Sequence, residues 1–433
     1  MALHRMTADT QPWVFILGRE PHLSVTEIAA VLGDGADWQH AELSREVLTL
    51  PIRDAEAPAL MDRLAGTQKI GTVWGSVPLA SPNDIARAVI AYTLQSTNAD
   101  QRVRFGFSVY DLGGGTRGID RARAALQRNA REIKTQIEEA GRTTRHVTSN
   151  DATLSSVTVT KQKLLPEHNG IEVLALVTRD RILLARTLAV QPFESWSRRD
   201  YGRPRRDARS GMLPPKLAHM MVNLALQSTI ENRQSTMILD PFCGSGTVLM
   251  EAALLGVPHI IGTDASEDAI ADARENIAWL RNAPSPASRG GAGGGANISI
   301  RPCDVRALTQ CITEPVDAIV TEPSLGPPQQ RANTATVQRE LLNLYLAAFA
   351  QFARVLRPGG TVVFVLPTFQ TTHVPELAPA RFCAALAPLG FTHVNTLPQP
   401  LCNHPVLRNN QHLPYAREGQ RVGRNILVLR LTI

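Results

Sequence analysis

Apolar positions along the chain fall into short runs with the spacing of strands, separated by stretches where they recur every third or fourth position, the spacing of helices. The first run, at 13–17, ends at Gly18. The amphipathic stretch at 25–32 follows, with Ser24 placed to cap it, Glu27 as capping-box partner and Gly33 to close it. Runs at 47–52 and 69–77 predict strands, with a helical pattern at 57–64 between them. Next come a helix at 82–94, a strand at 102–110 and a long, basic, amphipathic helix at 120–140. Three strands are expected after it, at 155–161, 171–178 and 181–188. Strands interleaved with helices in this way predict an α+β module whose sheet edge and loops are available for binding.

From residue 217 the alternation becomes regular. A helix at 217–230 leads into a strand at 237–240, a glycine turn and a helix at 247–255, and strand 259–264 and helix 267–280 follow. Strands at 298–304 and 316–322, a helix at 337–356, a strand at 361–366 and a helix at 375–386 continue the series. The last two strands, at 391–397 and 425–431, are expected to pair antiparallel at one edge. The fold class is therefore α/β: a Rossmann-like, doubly wound, mostly parallel sheet preceded by the α+β module. Domain boundaries are expected at 1–90, 91–190, a basic linker at 191–216, and 217–433. Residues 284–296, rich in Gly, Ala, Pro and Ser, read as a flexible insertion.

Composition narrows this picture. With 43% hydrophobic and 19% charged residues over 433 positions, the chain can build real cores and is not a disordered tract. Aromatics make up 5%, which argues against a base-stacking sheet as the main binding device. The five cysteines (Cys243, Cys303, Cys311, Cys383 and Cys402) are scattered, which suggests neither a disulfide framework nor a zinc site and suits a reducing cytoplasm. No apolar run has the length of a membrane helix, so no membrane is expected; the cysteine pattern leads to the expectation of no metal and a cytoplasmic location. The net charge of +6 is concentrated: residues 181–216 hold nine basic side chains against three acidic ones. Arg198, Arg199, Arg203, Arg205, Arg206 and Arg209 form a strip that is either a solvated linker or, as its arginine content favours, a phosphate-contacting surface.

The strongest motif is I-L-D-P-F-C-G-S-G-T, Ile238 to Thr247. A strand ends in Asp240, and a turn with Gly244 and Gly246 opens a helix whose free N–H groups suit an anionic ligand end. It lacks the lysine of a nucleotide phosphate loop, and Leu249 occupies the third glycine position of a dinucleotide fingerprint. Asp264 stands at the next strand end, where an acid can bridge ribose hydroxyls, and Asp304 at the one after. Three acids at three successive strand ends are more than helix caps require. The fourth strand ends in T-E-P-S-L-G-P-P, where Glu322 and Pro323 put a fourth acid and a rigid loop at a strand end. Before the first strand, Leu217, Met220, Met221 and Leu224 make an apolar helix face, on which Asn223 is the polar exception.

The D-P-F-C-G-S-G-T loop resembles that of class I S-adenosylmethionine methyltransferases. Together with R-R-D-Y-G-R-P-R-R-D-A-R-S-G-M-L-P-P-K-L-A, it is similar to the tRNA guanine-N2 methyltransferases that modify guanosine 10. That resemblance implies an N-terminal ferredoxin-like domain, a THUMP RNA-binding domain and a Rossmann-like catalytic domain. It implies S-adenosylmethionine held by Asp240, Phe242, Gly244, Gly246, Thr247, Asp264 and Asp304. It also implies Glu322 and the Pro323 carbonyl as the amine-positioning pair, and tRNA on the arginine strip. The family's Asp/Asn-Pro-Pro-Tyr/Phe is here Glu-Pro-Ser-Leu: the acceptor is kept on a longer arm and the aromatic is lost. Methylation of ribosomal RNA or DNA, or an RNA-binding protein with a degenerate pocket, stay open as alternatives, as does an accessory subunit.

Overall fold

The computed structural model describes residues 11–432 apart from 54, 150, 207–211, 228–234, 283–294, 327–333, 370–376, 408–411 and 417–421. Arg209, Pro327, Pro328 and most of the insertion at 284–296 therefore lie outside the described residues. The chain divides into two compact units. The first holds residues up to Val25, Leu32–Phe193 and Pro398–Val406; the second holds Thr26–Val31, Glu194–Leu397 and Leu407–Ile433.

The first unit is built on one eight-stranded sheet. Its strands are β1 (Pro12–Leu17), β2 (Glu42–Leu43), β3 (Val47–Pro51), β4 (Thr67–Pro78), β5 (Val103–Asp111), β6 (Thr144–Val147), β7 (Gly170–Val177) and β8 (Arg181–Val190), in the order β2-β3-β1-β4-β8-β7-β5-β6. The helices are α1 (Pro21–Leu32), of which Thr26–Val31 count with the second unit, α2 (Ala57–Arg63), α3 (Asp84–Ser96), α4 (Gly115–Glu139) and α5 (Ser156–Lys161). The twelve-residue β4 pairs with β1 on one side and β8 on the other, so strands from both sides of residue 90 share the sheet. The long basic helix forms as its stripe requires, with Ala122, Leu126, Ile133 and Ile137 buried on one face. Two local expectations are corrected. Residues 155–161 are helical, because Ser155 caps α5 by accepting from the Thr158 N–H at 3.1 Å. Ser24 lies inside α1, which starts at Pro21, and its hydroxyl donates to the Gly66 carbonyl at 2.7 Å.

The second unit is the doubly wound domain. Its elements are α6 (Phe193–Tyr201), α7 (Pro215–Leu226), β9 (Met237–Asp240), α8 (Thr247–Leu254), β10 (His259–Asp264), α9 (Glu267–Asn282), β11 (Asn297–Pro302), α10 (Leu308–Cys311), β12 (Val316–Thr321), α11 (Thr334–Val355), β13 (Leu356–Phe369), α12 (Pro379–Leu386), β14 (Phe391–His393), β15 (Leu413–Tyr415) and β16 (Val422–Leu431). The sheet order is β11-β10-β9-β12-β13-β16-β14, with β15 added to β16. Strands β9 to β13 run parallel, and the order reverses between β9 and β12, which places a crevice at their carboxyl ends. The closing pair is antiparallel as expected, but only β14 sits at the edge. β16 lies inside the sheet, paired with β13 from Thr361↔Arg430 to Phe369↔Val422.

Scarce aromatics are concentrated here. Tyr345 and Phe349 of α11 meet Phe364, Phe382 and Phe391 edge to face with ring centroids 5.0–6.0 Å apart, and Phe352 lies tilted against Phe349. Helix α7, buried from Leu217 to Leu226 including Asn223, packs on β12, β13 and β16.

Candidate active site at the carboxyl ends of the second sheet

Asp240 ends β9, and its side chain is almost wholly buried. Its Oδ1 accepts from the Thr321 hydroxyl at 2.6 Å and from the Phe242 N–H at 3.2 Å. Burial outweighs those bonds and raises its pKa from 3.8 to about 7. The turn that follows needs its glycines. Gly244 has φ +48° with open space where a side chain would stand, and Gly246, at φ +84°, caps α8 and lies against Ala273. The loop is tied to the neighbouring strand: the Cys243 N–H donates to the Thr263 carbonyl at 2.9 Å, and the Gly244 N–H donates to Asp264 Oδ2 at 3.0 Å. Asp264, half-buried, also accepts from the Ser266 N–H. Cys243 is a packing residue whose burial pushes its thiol pKa well above the ordinary range.

Asp304 follows β11, as expected, but its carboxylate is held by its neighbour. The Arg306 side chain binds both oxygens and the Arg306 N–H binds one, which lowers the pKa to about 2. Cys303, just before it, is disulfide-bonded to Cys311, a pairing that the scattered cysteines did not suggest. The bond closes a short turn around Asp304. Cys243, Cys383 and Cys402 are free.

Glu322 continues from β12 with a side chain 12% exposed, and Arg424 of β16, 2% exposed, pairs with it. Arg424 Nε donates to Oε1 at 2.5 Å and Nη2 to Oε2 at 3.3 Å. Burial raises the Glu322 pKa, and the bond and charge of Arg424 oppose that rise. Behind the loop, the Tyr345 hydroxyl donates to the Ser324 carbonyl at 2.6 Å. Pro323 is buried, while Ser324 is exposed and Leu325 half-buried. Neither Arg424 nor Tyr345 carries a local signal in the sequence: both are brought in by sheet and helix packing.

The arginine strip splits. Arg199, in the last turn of α6, lies in the core with Glu251 of α8 and His219 of α7, at 2.8 Å and 2.9 Å from the two Glu251 oxygens. Burial works against the Glu251 carboxylate, but the Arg199 charge and the His219 bond outweigh it and hold the pKa below its usual value. Arg203, 3% exposed, donates to the Thr247 hydroxyl at 2.7 Å. The expectation that Arg199 and Arg203 meet phosphate is therefore corrected: both are spent inside the domain, because their partners are buried acceptors that would otherwise be unsatisfied. The Thr247 hydroxyl is thereby engaged by Arg203. Arg205 is exposed and pairs with Glu275 and Asp272 of α9. Arg198 lies over Trp279, and the exposed Arg206 lies over Tyr201, itself 65% exposed.

Residues 203–376 match the family model described as RMKL-like, methyltransferase domain, and residues 46–275 match the one described as DNA methylase. The chain belongs to this methyltransferase group. Its methyl donor is S-adenosylmethionine. Among curated relatives, the tRNA (guanine(10)-N2)-dimethyltransferase of Methanothermobacter thermautotrophicus is 32% identical over 195 residues, covering 45% of this chain and 50% of that protein. The protein of the same name from Methanocaldococcus jannaschii is 27% identical over 161 residues, 36% of this chain and 38% of its own. The chain thus spans half or less of the curated relatives it matches. Among solved structures, TrmN from Thermus thermophilus has a TM-score of 0.52 at 20% identity, covering 97% of this chain and 99% of that one, which shows the shared fold.

The residues present fit the methyl donor. The glycine turn leaves an open cradle at the N-terminus of α8, and acids stand at the ends of β9 and β10 and just past β11. Among the described residues, no group of three or more His, Cys, Asp or Glu side chains could hold a metal ion. No helix among them is long and apolar enough to cross a membrane.

Proposed function

We propose that this methyltransferase acts on tRNA and transfers its methyl group to the exocyclic N2 amine of a guanosine, position 10 by analogy with the curated relatives' names. The observation that carries this reading is the buried carboxylate of Glu322 at the end of β12, next to the strand end that bears Asp240. Bound S-adenosylmethionine supplies a methyl group on a sulfonium. Asp240 and Asp264 bind its polar groups along the crevice, together with the Phe242–Thr247 turn, and Asp304 stands beside them. An exocyclic base amine is a poor nucleophile because its lone pair is delocalised into the ring. Glu322 and the Pro323 carbonyl hold the amine hydrogens, which turns the nitrogen lone pair toward the methyl carbon. A carboxylate in a water-poor setting also takes up the proton the amine loses.

The division at 1–90, 91–190, 191–216 and 217–433, with a ferredoxin-like and a THUMP module at the front, belongs to the same reading. The tRNA is gripped by the exposed arginines, Arg205 and Arg206 with Arg198, and Tyr201 offers a ring face beside Arg206. The match to a DNA methylase model favours a second reading, in which the accepting amine is on a DNA base. Transfer of labelled methyl from S-adenosylmethionine to unmodified bulk tRNA, ribosomal RNA and DNA, followed by nucleoside analysis, decides between them. Label appearing as N2-methylguanosine from tRNA is the expected result; label on a DNA base amine alone transfers the conclusion to the second reading.

A further inference from the structure

We infer that Asn276 is a positioning residue for methyl transfer: it sets the register between the arginine loop at 203–206, which grips the tRNA backbone, and the glycine turn that holds the methyl donor. The inference rests on the function proposed above and specifies how the two reactants are aligned. Asn276 belongs to α9 and is wholly buried. Its amide oxygen and both amide hydrogens are spent on two backbone segments. Oδ1 accepts from the Arg205 N–H at 3.0 Å, and Nδ2 donates to the Arg205 carbonyl at 3.0 Å and to the Ser245 carbonyl at 2.8 Å. Ser245 stands between Gly244 and Gly246, in the middle of the donor turn. Gly246 lies against Ala273, about one turn earlier on α9, so the same helix carries both the turn and the loop. A second tie runs alongside: Arg203, at the start of the loop, donates to the hydroxyl of Thr247, the first residue of α8.

The backbone groups of an exposed loop residue are ordinarily satisfied by water. Arg205 is exposed, yet one buried side chain takes both its N–H and its carbonyl. Two bonds from one amide fix the direction of the loop as well as its place, and the third refers that place to Ser245. The loop therefore cannot shift against the turn without breaking a hydrogen bond of Asn276. The side chain of Arg205 lies along α9 too, 2.7 Å from Glu275 and 3.5 Å from Asp272, and the exposed Arg206 follows it. Phosphate contacts carry no base identity; they fix where the nucleic acid lies. In the transfer the accepting nitrogen must stand about 3–3.5 Å from the methyl carbon, and a misplacement of about 1 Å costs on the order of a hundredfold in rate. Arginine charge alone would hold the tRNA without aligning it. A fixed spacing between loop and turn turns that hold into alignment.

The test measures single-turnover methyl transfer at saturating unmodified tRNA and S-adenosylmethionine, with nucleoside analysis, tRNA binding by filter retention and S-adenosylhomocysteine binding by calorimetry. In N276A the rate is expected to fall at least tenfold while both affinities stay within threefold of the parent. A smaller fall, or a fall matched by lost affinity for either ligand, overturns the role of Asn276, since a merely structural residue would weaken binding and not alignment. A second measurement needs no variant. Amide exchange in the parent is followed by mass spectrometry with and without saturating S-adenosylhomocysteine. Exchange at Arg205 and Arg206 is expected to slow at least fivefold together with that of the turn at 244–247. Slowing confined to the turn overturns the linkage even if N276A fails to fold. A parent that methylates a DNA base amine and not tRNA overturns the proposed function and the register with it. N2-methylguanosine from the parent with an undiminished rate in N276A overturns the Asn276 assignment alone.

Discussion

A carboxyl group buried with a pKa near 7 is a liability to the folded chain, and Asp240 is in that position. Its pKa is 3.8 when free and about 7 in the fold, because burial penalises the charge. Its contribution to stability is fully present below pH 3.8 and is lost as pH rises through 7. A shift of that size corresponds to at most about 4 kcal/mol. Asp240→Asn keeps an oxygen for Thr321 and Phe242 and has no charge to bury. The variant should be more stable than the parent at pH 8 by on the order of 1–3 kcal/mol and nearly equal at pH 4, while losing affinity for S-adenosylhomocysteine. Thermal unfolding at the two pH values and calorimetric titration check both halves; equal stabilisation at both would remove the buried charge as the cause. Asp240 was legible in the sequence because its signal is local, an acid ending an apolar run before a glycine turn. Glu322 was legible for the same reason. The partner of Glu322 was not: Arg424 is 102 residues away, and its own surroundings, Val-Gly-Arg-Asn, break the apolar run by which a strand is recognised.

At the scale of elements, the arginine strip shows what charge counting leaves out. Six arginines in twelve residues read as one basic surface, yet α6 turns Arg199 inward to Glu251 and the loop after it turns Arg203 to Thr247. A sequence reports the charge of a side chain, but not whether a buried carboxylate on another helix waits for it. The two kinds of arginine should respond differently. Arg199→Ala leaves Glu251 with only His219 in the core and should destabilise the domain by about 3–5 kcal/mol. Arg206→Ala should leave stability within about 0.5 kcal/mol of the parent and reduce the salt dependence of tRNA binding by about one unit of slope. Denaturant unfolding and binding at several salt concentrations read these out, and an unchanged slope in Arg206→Ala would return that residue to solvent. Strand spacing was readable from β9 to β13 because parallel strands buried on both faces are nearly continuous apolar runs. The position of β16 inside the sheet was not, since pairing order is set by packing across the whole domain.

Across the whole molecule, the chemistry assigned to the crevice belongs to the second unit, whereas the first is a separate sheet with its own core. Binding of S-adenosylhomocysteine at a hundred times its dissociation constant should stabilise the second unit by about 2.7 kcal/mol. Hydrogen exchange should then slow around the ends of β9, β10 and β12 while the interior of the first sheet is unchanged; protection centred on β4 or β8 would place the ligand elsewhere. Composition anticipated a globular chain of this kind. It did not anticipate the Cys303–Cys311 bond, because eight residues of separation carry no disulfide signature until the turn around Asp304 brings the two sulfurs together.

The interior place of β16 also imposes an order of assembly. The glycine turn after β9 and the strands beside it, β10 and β12, all precede residue 322. The counter-ion of Glu322 arrives with residues 422–431, after a further hundred residues have been synthesised. A chain growing from its N-terminus therefore carries Glu322 for a hundred residues before the cation that balances it in the fold exists.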